Sequence, residues 1–402
     1  MTVPTPRRPR HRPRTAVVAG ALLAALALVP GATASPATSS PGAAPRLGSY
    51  VPPAGPNFNN PIGTPTQQRK LLQQVIRTTN SAPAGSTIRM AVFSFGDGQT
   101  ADALLAAYHR GVNVKLVFAG ENVYPAMSRL RDGIGTDTAK SSFVVICQDS
   151  CRGEAGQMHA KYFSFTRAGA ARWITMVGSV NLTEHNAQDQ WNDLYTRVDD
   201  RPYFRAYGHW FGQLKNDEPV AKEYLHKATA TTDIRITPVD LTVDTDPIAD
   251  ALDKVRCQVT MGEIDPDSPT PDKIVKTNVY ISTHAWNEER GKRIAWQVVA
   301  LRADRCQVKV FYGTGMGAAV KSILKNNGVR MRKGHNQGIR THEKVMMVDG
   351  GFADDPDTVR AWTGSQNWSD RAANRDDLIV QINDEAEAQQ YVDRFLWMWD
   401  HA

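Results

Sequence analysis

His342-Glu343-Lys344-Val345-Met346-Met347-Val348-Asp349 is the stretch from which the rest of this chain can be read. After Lys344 it is apolar enough for a buried strand. Residues i and i+2 of a strand project to one side, so His342 and Lys344 share a face. That pair sets an imidazole, able to attack or to move a proton, beside an ammonium able to hold anionic oxygen. Alone, the pattern would be ordinary polar alternation, but it recurs. Of ten histidines only one other stands in it, in His159-Ala160-Lys161. Each copy precedes a Gly-Ser-x-Asn sequence: Gly178-Ser179-Val180-Asn181, nineteen residues after His159, and Gly364-Ser365-Gln366-Asn367, twenty-two after His342. At the end of a neighbouring strand these add a hydroxyl and an amide, neutral donors for oxygens.

Outward from the motifs, short β-branched runs alternate with helical stretches, the pattern of an α/β chain. Strands are predicted over Ile88 to Phe95, Val112 to Phe118, Phe143 to Ile146, Ala160 to Phe165, Trp173 to Val177 and Leu194 to Val198. Helices are predicted from Thr64, as N-cap with Pro65 first in the helix, through Ile76, over Ala101 to His109, and over Pro202 to Leu214. The same order returns around the second motif. There the strands are Val279 to Ser282, Val308 to Tyr312, Val345 to Val348, Val359 to Thr363 and Leu378 to Ile382, and the helices Glu288 to Ala303, Ala318 to Lys325 and Glu385 to Trp399. Duplication is the simplest account. The expected halves are 64–225 and 251–402, joined by a polar linker at 226–250. One half offers one imidazole, whereas displacement at phosphorus through a covalent intermediate wants a nucleophile and an acid. A duplicated chain supplies both across a pseudo-two-fold axis.

The N-terminus reads as an export signal, with Arg7, Arg8, Arg10, Arg12 and Arg14 before the apolar run Ala16 to Leu28 and a small-x-small site at Ala32-Thr33-Ala34. Residues 1–34 are therefore expected to be removed, and 35–63, rich in Pro, Ala, Gly and Ser, to be a disordered tether. Removing five arginines takes the formal charge of +6 to about +1 (6 − 5), too little for a dedicated polyanion binder. Four cysteines in an exported chain suggest two disulfides, Cys147 with Cys151 as a local clip and Cys257 with Cys306; zinc is the competing reading. Trp173, Trp362, Trp397 and Trp399 are expected to pack in the core or at an interface. Arg330, Arg332, Lys333 and Arg340 are expected to form a solvated basic loop.

The paired motif resembles the mark of the phospholipase D superfamily, two H-x-K-x4-D segments each followed by G-S-x-N. The second copy fits in full, with Asp349 in place; the first has Thr166 where the family has Asp. The resemblance covers nearly the whole chain from about residue 64. It implies two homologous phospholipase D-like halves, each a mixed sheet flanked by helices, sharing one active site. It implies a phosphohistidine intermediate, no metal and no cofactor. By position His159 resembles the nucleophile and His342 the acid that protonates the leaving alcohol and later activates water. Lys161, Lys344, Asn181 and Asn367 would hold the non-bridging oxygens, with Ser179, Ser365 and Asp349 in the same catalytic set. An acidic residue downstream of G-S-x-N commonly orients a histidine in this family; Asp193 and Asp377, each before a strand leucine, are expected there.

The expected function is that of a secreted, monomeric phospholipase D acting on glycerophospholipid head groups by hydrolysis or transfer, with transient contact to a membrane surface. A metal-independent endonuclease is the alternative, with Lys115, Lys309 and the basic stretch lining a path for nucleic acid. The absent first Asp raises a third reading, a pseudoenzyme that binds phosphodiesters without cleaving them.

Overall fold

A computed structural model describes residues 49–221, 223–261, 273–334 and 338–402. The expected signal, 1–34, and the first part of the expected tether lie outside the described residues. Among those described, no helix is long and apolar enough to cross a membrane.

The first half is built on a seven-stranded sheet in the spatial order Gly55–Phe58, Asp193–Arg197, Ala171–Gly178, Lys161–Ala168, Thr87–Val92, Asn113–Ala119, Phe143–Cys147. The last three strands run parallel and the rest antiparallel, a mixed sheet. The second half repeats the order: Thr232–Ile236, Leu378–Ile382, Asp355–Gly364, Lys344–Phe352, Asn278–Trp286, Gln307–Met316, Arg330–Lys333. In both, the strand beginning at the motif lysine is central, hydrogen-bonded on one side to a parallel-sheet strand and on the other to the strand that ends in the glycine of G-S-x-N.

Strand alternation distributes the side chains. Met346 and Val348 enter the outer core of the second half, beneath helices Glu288–Ala303 and Ala318–Asn326, while Val345 and Met347 enter a central core between the sheets. The first half does the same, with Phe163 and Phe165 outward and Ala160 and Tyr162 inward. The central core also takes Tyr203 and Trp210 from helices Arg201–Ala206 and Gly208–Leu214, Tyr207 from between them, and Tyr391, Val392 and Phe395 from helix Glu385–His401. One continuous apolar layer therefore joins the halves, and the middle residue of each H-x-K faces it: Ala160 in one, the buried carboxylate of Glu343 in the other.

Four expectations about the fold need correction. Residues 49–63 are ordered: Gly55–Phe58 is an edge strand, and Asn57 and Asn59 are buried with their amides donating to Gly55 O (3.0 Å) and Gln190 O (2.9 Å). Backbone pairing and amide bonds hold a segment whose composition lacks apolar bulk. The 226–250 linker is structure of the second half, because Thr232–Ile236 pairs with Leu378–Ile382, Leu225–Ala228 adds a hairpin strand, and Pro247–Asp253 is a helix. The alternation of buried Ile234 and Ile236 with Asp233 and Arg235 was a period-two signal for it. Arg330–Lys333 is an edge strand and not a loop. The helix begun by the Thr64 capping box also breaks at Arg69 and resumes over Lys70–Asn80.

Both expected disulfides, Cys147–Cys151 and Cys257–Cys306, are present, so these sulfurs hold no zinc. Trp362 is buried, while Trp397 and Trp399 pack at the edge of the central core.

Candidate functional site

The backbone just before each motif lysine pairs with the other half. His159 N donates to Asp376 O (3.0 Å) and His342 N to Trp191 O (2.9 Å). These crossed bonds bring each imidazole against the residue that follows its partner segment. His159 Nδ1 lies 2.8 Å from Asp377 Oδ1, and His342 Nδ1 lies 2.9 Å from Asn192 Oδ1 and 3.0 Å from Ser179 O. Asp377 is therefore where sequence reasoning expected a histidine partner, and Asp193 is not. The leucine rule slips by one residue. Ser179 N donates to Asp193 O and Ser365 N to Leu378 O, so Asn192 is the equivalent of Asp377, and Asp193 the equivalent of Leu378. Asp193 instead accepts from Thr363 Oγ1 and, at 3.0 Å, from Tyr391 OH, tying the first sheet to the second and to the last helix.

The two serines brace these partners. Ser179 Oγ donates to Asn192 Oδ1 (3.3 Å) and accepts from Asp193 N (3.0 Å); Ser365 Oγ accepts from Leu378 N (3.0 Å) and supports the Asp377 carboxylate. Asn181 Oδ1 accepts from Ser94 N (3.2 Å), while Asn367 Oδ1 is buried with no hydrogen-bond partner among the described residues. Each lysine ammonium donates to the carbonyl of its own motif histidine.

Asp349 and Thr166 stand apart from this group. Asp349 Oδ2 accepts from Asn278 Nδ2 (3.0 Å) and Thr166 Oγ1 from Thr87 N (2.8 Å), each bracing the start of the neighbouring strand. Five residues of strand, about 16 Å, separate Asp349 from Lys344. The expectation that Asp349 belongs to the catalytic set is thus corrected. Asp and Thr meet the same structural need, an acceptor at the register position opposite the first residue of that strand.

Burial dominates the electrostatics of the site. Burial drives the Lys161 ammonium far below its usual range, and Lys344 adds to this; burial likewise takes Lys344 down to about 7. Burial also keeps both motif imidazoles neutral, Lys344 and Lys161 reinforcing this at His342. Although burial alone would raise it, the Asp377 carboxyl is held low by His159 and Lys161. His159, Lys161 and Lys344 also feel the charge of half-buried Arg375.

Sequence reasoning missed Asn192, Arg375 and His284. His284 occupies the register position of Phe93, so Phe93 packs on His159 (4.7 Å between ring centroids) while His284 packs on His342 (4.8 Å). Its Nδ1 meets Thr341 O at 3.2 Å, and burial and the nearby Lys344 lower its pKa to about 3. No motif marks it; only the duplicated register does.

The arrangement brings together two neutral imidazoles, two lysine amines and two amides, groups whose chemistry suits holding the oxygens of an anion. Residues 75–215 and 275–399 match the family described as cardiolipin synthase, PLD-like domain. Among curated proteins none matches in sequence. Phosphatidylserine synthase from Haemophilus influenzae aligns over 86% of this chain and 86% of its own at 10% identity, TM-score 0.51. Polyphosphate kinase from Porphyromonas gingivalis aligns over 84% of this chain at 10% identity, TM-score 0.55, and this chain spans about half, 49%, of that protein's length. At such identities these structures speak to the fold, two halves in one arrangement. The family match covers most of both halves, and the chain belongs to the phospholipase D superfamily, as a member of its cardiolipin synthase-like PLD-domain family.

Proposed function

We propose that the chain is an exported phospholipase D that hydrolyses or exchanges glycerophospholipid head groups through a phosphohistidine at His159. The observation that carries the roles is the unequal pairing of the imidazoles, His159 against the Asp377 carboxylate and His342 against the neutral Asn192 amide. Phosphorylation of Nε2 leaves a positive charge on the ring, and a carboxylate at Nδ1–H offsets it. His342, its Nδ1–H held by neutral oxygens, keeps Nε2 for proton transfer.

A phosphodiester anion settling between Lys161 and Lys344 adds negative charge beside them, so both lysines and His342 bind protons more tightly in the complex than before. His159 Nε2 then attacks phosphorus as the P–O bond to the head-group alcohol breaks, and His342 gives that oxygen a proton. In the second step water, or another alcohol, attacks phosphorus, His342 takes its proton and the P–N bond breaks, restoring His159. Asn181 and Asn367 support the non-bridging oxygens.

A lipid substrate is favoured by the family's name, that of a lipid synthase, and by the small net charge after loss of the signal. Export is supported by the basic and apolar N-terminus and by two disulfides. Lys115 packs on the Phe143 ring and Lys309 on Tyr280 and Trp399, which removes the support they lent to a nucleic-acid path. The test is incubation of the protein in EDTA with phosphatidylcholine vesicles and separately with plasmid DNA. Choline release with intact DNA is expected; DNA cleavage with intact lipid overturns the reading.

A further inference from the structure

The two half-sites differ behind their histidines. Where the His342 side has Trp191, a buried indole whose carbonyl receives His342 N, the His159 side has Asp376, a buried carboxylate whose carbonyl receives His159 N. Asp376 is gripped by one loop of the first half. Its Oδ2 accepts from Ser150 Oγ (2.8 Å) and Cys151 N (2.7 Å), its backbone N donates to Gln157 O (3.0 Å), and Arg152 lies 3.8 Å from its Oδ1. That loop is closed by Cys147–Cys151, with both cysteines buried.

We propose that Asp376 and the Cys147–Cys151 loop form a positioning device for the nucleophile, seating His159 and, one residue on, Asp377 in register, so that attack at phosphorus depends on the closed loop. Asp376 touches no reacting atom; it acts through the backbone bond to His159 and through its covalent neighbour. Without the donors from Ser150 and Cys151, a buried carboxylate would be left largely uncompensated and would move or draw in water. Burial pushes this carboxyl up to about 7, in keeping with a group that has few partners to spare. Cys257–Cys306 lies in the outer core of the second half and serves as the control.

This inference rests on His159 being the nucleophile, so the experiment reads that first. The full chain is mixed with labelled phosphatidylcholine, quenched, and the label on histidine located, with kcat, KM and thermal unfolding measured in parallel. Replacing Cys147 and Cys151 together by Ala is expected to cut kcat and the rate of His159 labelling by about 10²-fold, the scale of a small misplacement of a reacting group, with KM changed less than about threefold. Replacing Cys257 and Cys306 is expected to lower Tm while leaving kcat within about threefold. If the first double variant fails to fold, Ser150→Ala against Ser150→Thr decides, since only Thr keeps the hydroxyl; the expected ratio of kcat values is about fivefold, one hydrogen bond. Full kcat in the folded Cys147/Cys151 variant, or equal kcat in the two Ser150 variants, overturns the device. Absence of label on His159 in the unsubstituted protein overturns instead the mechanism on which it stands.

Discussion

Asn192 Oδ1 receives His342 Nδ1 at 2.9 Å in the place where Asp377 Oδ1 receives His159 Nδ1 at 2.8 Å. The duplicated fold repeats the geometry and changes the charge. Each imidazole is oriented by a residue of the opposite half, so neither half by itself holds its histidine in place.

The charge difference predicts unequal tolerance. Asp377→Asn should lower turnover by at least about 10², because the phosphorylated ring loses its counter-charge and the amide can hold the wrong tautomer. Asn192→Asp should be milder and should shift the pH profile, since a carboxylate there raises the pKa of His342. Steady-state rates between pH 5 and 9 check both.

Replacing either histidine by Ala should cost at least about 10³ in rate, with different residues of chemistry left behind. With a p-nitrophenyl phosphodiester, whose leaving group needs no acid, His342→Ala should accumulate label on His159, while His159→Ala should take none. Intact-mass measurement after rapid quench distinguishes them; unlabelled His342→Ala would reverse the roles.

Asp349 and Thr166 should affect stability and not chemistry. Asp349→Ala should lose about 1 kcal/mol with its bond to Asn278, while turnover per folded molecule stays near that of the unsubstituted chain. Thr166→Asp should be nearly neutral on both counts. A gain of orders of magnitude from Thr166→Asp would mark the first half-site as decayed.

Glu343 is buried in the central core, and burial raises its carboxyl to about 7 despite the opposing pull of Arg394. The folded state thus binds this proton more tightly than the unfolded chain, so the contribution is whole below about pH 4.5 and is lost as pH rises through about 7. Glu343→Gln should therefore gain stability over the unsubstituted chain at pH 8, by up to about 3 kcal/mol, and little at pH 5. Chemical unfolding at the two pH values measures it.

Much of this was legible in the sequence because it is local. The H-x-K spacing follows strand alternation, strand Leu378–Ile382 is a short apolar run and helix Glu288–Ala303 a long uninterrupted stretch, and the four cysteines close two disulfides. Less legible were segments held by backbone pairing, such as Gly55–Phe58, where composition says little and a distant strand decides.

By itself, then, the sequence determined that the chain is duplicated, that each half is α/β and which histidines and lysines face together, since these follow from period and repetition within a few tens of residues. Which residue meets which histidine was decided only by the tertiary structure. Asn192 and Asp377 lie 150 and 218 residues from the imidazoles they orient, and His284 reaches His342 across 58 positions (342 − 284) through strand register. No spacing rule spans such separations, because the contacts are made by packing two sheets on one apolar layer, and a one-residue shift in that register moved the expected partner from Asp193 to Asn192.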